Sequence, residues 1–199
     1  RTLFPLGAMQ KPEVRALAAD LNLPVAEKPD SQEICFIPNG DYAAFIDAYF
    51  REKGIAVDST HGQVLTADGE ILGEHSGVHH FTVGQRKGIP AARRKPEPLY
   101  VISTNPATQQ VIVGSNDQLL RAEFSTRDTN WISIAPPTRE LRAHVRIRNK
   151  HLPAPATITP TGDPTRALVR FDEPQRAVTP GQAAVFYSGD LVLGGGWID

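Results

Sequence analysis

The only cysteine of the chain, Cys35, is the side chain best suited to covalent chemistry, and its surroundings allow two local structures. Asp30 and Glu33 have the spacing of a helix-starting capping box, which would place Cys35 near the first turn, where the helix dipole favours a thiolate. The apolar run Ile34–Ile37, followed by Pro-Asn-Gly, instead favours a short strand with a buried, inert cysteine. Free cysteines are usually buried, so the residues alone favour the inert interpretation without excluding the reactive one.

A second group of chemically capable side chains lies in the segment Leu141–Lys150. Its basic residues occupy the even positions and mostly apolar residues occupy the odd ones: Arg142, His144, Arg146, Arg148 and Lys150 alternate with Ala143, Val145, Ile147 and Asn149. Because side chains alternate between the faces of a strand, this pattern predicts one basic face, to which His151 adds. Such a face either guards a solvated sheet edge or follows a phosphate backbone, and the lack of an interleaved acid strengthens the second interpretation.

Two further basic segments are weaker candidates. Gln85-Arg86-Lys87 stands between Gly84 and Gly88, and glycines permit close backbone approach, but the spacing is not that of a phosphate-binding loop. Arg93-Arg94-Lys95 is typical of a solvated loop.

Histidines raise the question of a metal site. His75 and His79 would face together only on a helix, and the nearby glycines and β-branched residues disfavour a helix there. No metal is therefore predicted, and no Ser/His/Asp triad can be argued from spacing.

Composition describes an ordinary globular protein. The chain has 199 residues, 40% of them hydrophobic and 22% charged, and a net charge of −1, so binding of nucleic acid would require a local basic patch. It contains no apolar run long enough for a membrane span and no signal peptide, and one cysteine cannot form an intrachain disulfide. These features predict a cytoplasmic protein, and the start at Arg1 suggests a piece of a longer one.

The elements that position these residues change in type along the chain. Two helices are predicted, Glu13–Leu21 after Pro12 and Asp41–Lys53 before Gly54. Strands follow as two hairpins, with an alternating strand leading into the basic loop between them: Val64–Thr66 with Ile71–Gly73, His79–Val83, and Leu99–Ser103 with Gln110–Gly114.

After about Asp117, short strands separated by Pro/Gly turns predict a small barrel or sandwich. The expected strands are Trp131–Ile134, Leu141–Arg148, Ala156–Thr159, Ala167–Phe171, Ala183–Tyr187 and Leu191–Leu193. Gly194-Gly195-Gly196 is either a flexible tail or a place of close backbone approach.

Several short motifs occur in the order typical of one family. They are Phe4-Pro5-Leu6-Gly7, Lys11-Pro12-Glu13-Val14-Arg15, Asp30-Ser31-Gln32 with Ile34-Cys35-Phe36-Ile37, His80-Phe81-Thr82-Val83-Gly84-Gln85-Arg86-Lys87-Gly88, Val178-Thr179-Pro180-Gly181-Gln182 and Leu193-Gly194-Gly195-Gly196. With these motifs the chain resembles the tRNA-specific 2-thiouridylases, the MnmA (or TrmU) family, along its whole length.

The resemblance implies a mainly β fold in three parts. Residues 1–38 would be the helical tail of an α/β ATP-binding domain with the cysteine segment, 39–117 a small mixed α+β central domain, and 118–199 a tRNA-binding antiparallel β-barrel like those of translation factors.

The resemblance also implies a reaction. ATP, bound in the N-terminal domain by a Ser-Gly-Gly-x-Asp-Ser-type loop, adenylates the C2 oxygen of the wobble uridine in the anticodon, and a persulfide on Cys35 delivers the sulfur to C2. Partners would be tRNA and a sulfur-relay protein or cysteine desulfurase, with no membrane. A second cysteine in the N-terminal domain would close a disulfide with Cys35. This sequence lacks both that cysteine and the ATP loop, so the chain alone is expected to be inactive.

Residue by residue, the resemblance implies tRNA contacts from Arg148 and Gln182. Asn149 stands where relatives often have tyrosine. The predicted tRNA-binding set is Arg146, Arg148, Asn149, Lys150, Gln182, Gln85, Arg86 and Lys87.

Two other functions compete with this one. The chain could be a non-catalytic RNA-binding module with a structural cysteine. Methyl transfer is disfavoured because the sequence shows no glycine-rich strand-to-helix site for S-adenosylmethionine.

Overall fold

A computed structural model describes residues 3–29, 37, 41–55, 61–90 and 96–199. Cys35 with the predicted capping box, and the Arg93-Arg94-Lys95 segment, lie outside the described residues. The chain divides into two compact units, residues 1–48 and 49–199, each described by itself.

The helices begin at residues that satisfy free backbone donors. In α1 (Lys11–Asp20) the Gln10 N–H donates to the Glu13 carboxylate at 2.6 Å. In α2 (Tyr42–Glu52) the Asp41 carboxylate accepts from the Ala44 N–H at 2.9 Å. Both predicted helices are confirmed within two residues of their expected ends. No helix in the described ranges is long and apolar enough to cross a membrane.

Four strands form a mixed sheet in the second unit. They are β1 (Gly62–Thr66), β2 (Ile71–His75), β3 (Tyr100–Asn105) and β4 (Gln110–Gly114), in the order β2-β1-β4-β3. β1 and β4 are parallel, and the other two pairs are the predicted antiparallel hairpins. Valines with no exposed surface form the core of this sheet: Val64, Val101, Val111 and Val113.

The alternating strand predicted at His79–Val83 is wrong. Val78–His80 form a short 3₁₀-helix, in which the Phe81 N–H donates to the Val78 carbonyl at 3.1 Å. Phe81 then packs on the His75 ring with the ring centres 5.3 Å apart. This aromatic contact holds Phe81 against the end of β2.

Six antiparallel strands close the barrel. They are β5 (Leu120–Trp131), β6 (Leu141–Arg146), β7 (Ala154–Pro160), β8 (Ala167–Arg176), β9 (Ala183–Ser188) and β10 (Leu191–Ile198), in the closed order β10-β5-β8-β7-β6-β9. The largest fully buried side chains of its interior include Phe186, Ile158, Val145 and Val169. The mainly β fold class with a C-terminal antiparallel barrel is confirmed, while the domain boundaries at 38 and 117 stay a prediction.

The first barrel strand was expected at Trp131–Ile134, which is wrong. β5 ends at Trp131, and the next residues bend away. The strand is rich in polar and charged residues and is interrupted at Asp128, whose φ is +49°. Alternation of apolar residues therefore fails to reveal it.

Gly194-Gly195-Gly196 is part of β10 and not a tail. A Cβ on Gly194 would lie 2.5 Å from the Asn130 carbonyl oxygen on β5, and one on Gly195 would lie 3.2 Å from Cα of Val185 on β9. The glycines let β10 approach both neighbours and close the barrel.

Candidate nucleic-acid interface

A groove of about 390 Å³ on the outer face of the barrel gathers several of the predicted residues. It forms because β6 and β9 are neighbours, with Arg146 paired to Val185. Its lining consists of Arg146 at the end of β6, Arg148 and Asn149 in the following turn, Gln182 just before β9, and Ala183, Val185 and Tyr187 on β9.

The predicted basic face is confirmed only as far as Arg146. Ala143 and Val145 are buried while Arg142 and His144 are exposed, as alternation requires. The strand was expected to continue to Arg148 but ends at Arg146, so the turn that follows, and not the strand pleat, positions Arg148.

Arg148 is half-buried against the end of β8. Its Nη1 donates to the carbonyls of Arg176 at 2.8 Å and Ala177 at 3.4 Å. Burial, and to a lesser extent the positive charge of Arg176, lower the pKa of Arg148 from its ordinary value. Carbonyl oxygens orient the guanidinium without cancelling its charge.

Arg146 folds back onto the turn. Its Nε donates to the Arg148 carbonyl at 3.2 Å, and its Nη2 donates to the carbonyl of Asn149. The side chain therefore braces the turn that carries Arg148 and still presents its charge to the groove.

Arg142, at the other end of β6, is already neutralised. Its Nη1 and Nη2 donate to the two carboxylate oxygens of Asp172 at 2.7 and 2.5 Å. This pair raises the pKa of Arg142 and lowers the pKa of Asp172. Within the described residues no carboxylate forms an ion pair with Arg146 or Arg148. The basic face therefore has one end, at Arg142, that is paired with a carboxylate, and another end, at Arg146 and Arg148, that no described carboxylate neutralises.

Gln182 lines the groove, and its side-chain oxygen has no hydrogen-bond partner among the described residues. Its backbone is fixed because its N–H donates to the Thr179 carbonyl at 3.2 Å and its carbonyl accepts from the Ile198 N–H at 2.8 Å. Its side-chain Oε1 is buried without a hydrogen-bond partner among the described residues. Leaving such an atom unpaired costs about 1–3 kcal/mol.

His151 holds the Arg148 turn and does not extend the basic face. The ring is buried, Nδ1 accepts from the Ile147 N–H at 3.4 Å, and Nε2 lies 3.0 Å from the Gln175 Oε1. The prediction that His151 adds to the exposed basic face is wrong, because the ring is buried and bonded within the protein.

The other predicted residues lie on exposed turns. Lys150 is exposed in the Arg148 turn but does not line the groove. Arg86 and Lys87 are exposed, whereas Gln85 braces its own loop: its Oε1 accepts from the Thr82 N–H at 3.1 Å and its Nε2 donates to the Lys87 carbonyl at 2.8 Å.

The Gln85-Arg86-Lys87 loop lies beside the backbone that anchors Arg148. A Cβ on Gly84, whose φ is +88°, would lie 3.2 Å from Cβ of Ala177. Residues 176 and 177 therefore separate the loop from Arg148, and the two basic elements border the same part of the surface.

Sequence reasoning missed two residues of this region. Tyr187 shares the outward face of β9 with the groove, which the alternation of Ala183, Val185 and Tyr187 with buried Ala184 and Phe186 could have revealed. Arg176 lies 5.0 Å from the ring centre of Tyr100 and donates to the Asn116 side chain at 2.8 Å. No local sequence motif indicates these long-range contacts of Arg176.

Three family profiles match adjacent parts of the chain. Residues 1–39 match a profile described as a tRNA methyl transferase HUP domain. Residues 52–115 match a tRNA methyl transferase PRC-barrel domain, and residues 121–198 match an aminomethyltransferase beta-barrel domain.

Similar proteins match along all of the chain. A protein named tRNA-specific 2-thiouridylase MnmA from Solibacter usitatus is 63% identical over 201 residues, with 100% of this chain and 54% of the relative covered. Proteins of the same name from Acidobacterium capsulatum and Koribacter versatilis are 57% and 54% identical, again over 100% of this chain and 53% of each relative. The chain spans about half the length of these relatives. Together, the three adjacent profiles and the relatives show that the chain belongs to the MnmA family of tRNA-specific 2-thiouridylases.

Proposed function

We propose that this chain is the part of a tRNA 2-thiouridylase that carries the sulfur and holds the tRNA near its anticodon. The observation that carries the proposal is the groove that joins Arg146, Arg148, Asn149 and Gln182 without a counter-charge from the described carboxylates. Guanidinium groups with uncancelled charge suit phosphate contacts, which supply most of the affinity for nucleic acid.

The proposed contacts with RNA extend beyond the groove. Arg146 and Arg148 contact phosphates, Asn149 and Gln182 hydrogen-bond to the RNA, and Lys150 adds charge from the same turn. The loop Gln85-Arg86-Lys87 continues the contact on the far side of residues 176 and 177.

Cys35 is the proposed sulfur carrier. A sulfur-relay protein or cysteine desulfurase leaves a persulfide on it, and the outer sulfur attacks C2 of the activated uridine while AMP departs with the C2 oxygen. A second cysteine, outside this chain, then attacks the Cys35 sulfur, so that a disulfide forms and the 2-thiouridine is released. A reductant must open that disulfide before the next turnover.

Activation by ATP is assigned to residues outside this chain. The sequence contains no Ser-Gly-Gly-x-Asp-Ser loop, so its residues do not fit the nucleotide. We therefore expect the 199-residue chain to bind tRNA without thiolating it.

Two alternatives remain distinguishable. The profile descriptions contain the words methyl transferase, but the relatives matched over all of the chain are named 2-thiouridylases, and these favour sulfur transfer. A non-catalytic RNA-binding module would use the same groove and leave Cys35 without chemistry.

Replacement of Cys35 tests the proposal. In the full-length protein, Cys35→Ser should abolish thiolation of tRNA and the cyanide-releasable sulfur that appears after incubation with a cysteine desulfurase relay. Binding of tRNA should stay within about twofold of the wild type, because serine removes only the nucleophile. Thiolation at the wild-type rate by Cys35→Ser would refute the role of Cys35 and favour the RNA-binding module.

A further inference from the structure

We propose that the groove holds one unpaired nucleotide of the RNA, with its base stacked on Tyr187. This inference rests on the proposed function, since it specifies how the groove would bind tRNA. It goes beyond phosphate contacts because it places a base against the apolar floor of the groove.

The floor of the groove is apolar and ends in an aromatic ring. Ala183, Val185 and Tyr187 point outward from β9, while Ala184 and Phe186 point into the barrel core. Tyr187 is partly exposed, and its neighbours across the strands are His144 on β6 and Val192 on β10. An exposed ring on a rigid strand offers a flat face to a base at low entropic cost.

Polar residues at the rim of the groove supply contacts for the phosphate and for the base edge or ribose of the same nucleotide. Arg146 and Arg148 provide positive charge for a phosphate, and Asn149 adds polar groups beside them. Gln182 lines the same groove and offers an amide group to a base edge or to a ribose hydroxyl.

The combination favours an unpaired nucleotide over a duplex. In a duplex the base faces are covered by stacking, so only phosphates and sugars would reach the groove and the apolar floor would stay empty. A volume of about 390 Å³ is that of a small-molecule site and suits a single extruded base with its sugar.

Substitutions of Tyr187 separate stacking from other roles. In titrations of the 199-residue chain with tRNA, Tyr187→Ala should weaken binding roughly 5- to 100-fold, the range measured for loss of one base–aromatic stack. Tyr187→Phe should stay within about twofold of the wild type, and Tyr187→Leu should fall near Tyr187→Ala. The matched control Ile132→Ala removes an apolar side chain that is 66% exposed and does not line the groove, and it should change nothing.

Photo-crosslinking locates the contact directly. A tRNA that carries 5-iodouridine should crosslink to the peptide with Tyr187, and a fully paired RNA of the same length should not. If Tyr187→Ala lowers the melting temperature of the protein, the tRNA affinities of Tyr187→Phe and Tyr187→Leu are compared instead. Both variants keep a large apolar side chain on β9, so a difference between them reports on stacking.

The outcomes distinguish this inference from the proposed function. Equal affinity of all Tyr187 variants, or equal losses in Tyr187→Phe and Tyr187→Ala, overturns the stacking role. In either case, weakened binding on replacement of Arg148 keeps the groove as a phosphate contact and leaves the proposed function intact. Absence of tRNA binding by the wild-type chain overturns both.

Discussion

At the scale of single residues, Arg142 and Arg148 show how one sequence pattern leads to two kinds of arginine. Arg142 forms a bidentate pair with Asp172, which lies two strands away on β8. Among the described residues, the side-chain hydrogen bonds of Arg148 go to the backbone carbonyls of residues 176 and 177. A carboxylate cancels the guanidinium charge, whereas carbonyls orient it and leave it able to attract a phosphate.

The salt dependence of tRNA binding should separate these arginines. Arg148→Gln keeps a donor for the two carbonyls and removes the charge, so the slope of log affinity against log salt should fall by about 0.7–0.9. The matched control Arg142→Gln, on β6, should leave the slope unchanged because Asp172 already neutralises Arg142. Equal slopes for the wild type and Arg148→Gln would mean that Arg148 does not contact a phosphate.

Gln182 should show opposite effects on binding and stability. Gln182→Met keeps the volume of the side chain and removes the unpaired buried oxygen, so the free energy of unfolding in urea should stay within about 1 kcal/mol of the wild type or rise. Affinity for tRNA should nevertheless fall several-fold because the acceptor is lost. A destabilisation above about 2 kcal/mol would show that the amide is satisfied within the folded protein.

At the scale of elements, turns between strands place the groove residues more than the strands do. The turn after β6 is fixed by His151 and by the Arg146 side chain, and the turn before β9 is fixed by the backbone bonds of Gln182. Both turns meet because β6 and β9 are paired. The pairing of β6 with β9 therefore brings the two turns together at the groove.

His75, at the end of β2, should make folding stability depend on pH. Its Nε2 lies 3.1 Å from the Gln109 carbonyl, and burial lowers the pKa of His75 below the ordinary 6.5, outweighing that hydrogen bond, which raises it. The unfolded state therefore binds the proton first, so the contribution is complete above about pH 6.5 and decreases as the pH falls below it.

Unfolding in urea at pH 7.5 and pH 5.5 measures this effect. His75→Gln keeps a donor for the Gln109 carbonyl and cannot be protonated, so it should lose less stability between the two pH values than the wild type. Identical losses would contradict a depressed pKa at His75.

At the scale of the whole molecule, the proposed binding of RNA depends on the local arrangement of basic groups and not on the net charge. The chain carries a net charge of −1, which gives no general attraction to a polyanion. Arg176 connects the barrel to the four-stranded sheet through Tyr100 and Asn116, so the groove and the Gln85 loop belong to one surface of the second unit.

Many of the strands and part of the groove could be predicted from the sequence, but some strands and residues could not. Alternation and turn residues predicted both hairpins and the outward face of β6, because those strands have one apolar side. The polar strand β5 escaped detection since its burial comes from closure of the barrel. Arg176 was missed because its contacts with Tyr100 and Asn116 join distant parts of the chain, whereas the outward position of Tyr187 follows from alternation along β9.

Gly195 ties the closure of the barrel to the shape of the binding surface. It pairs with Val185, which forms part of the groove floor on the outer side of β9. A side chain at Gly195 would press on the Val185 backbone and move that floor. Closure of the barrel and the shape of the groove floor therefore depend on the same backbone approach of β10 to β9.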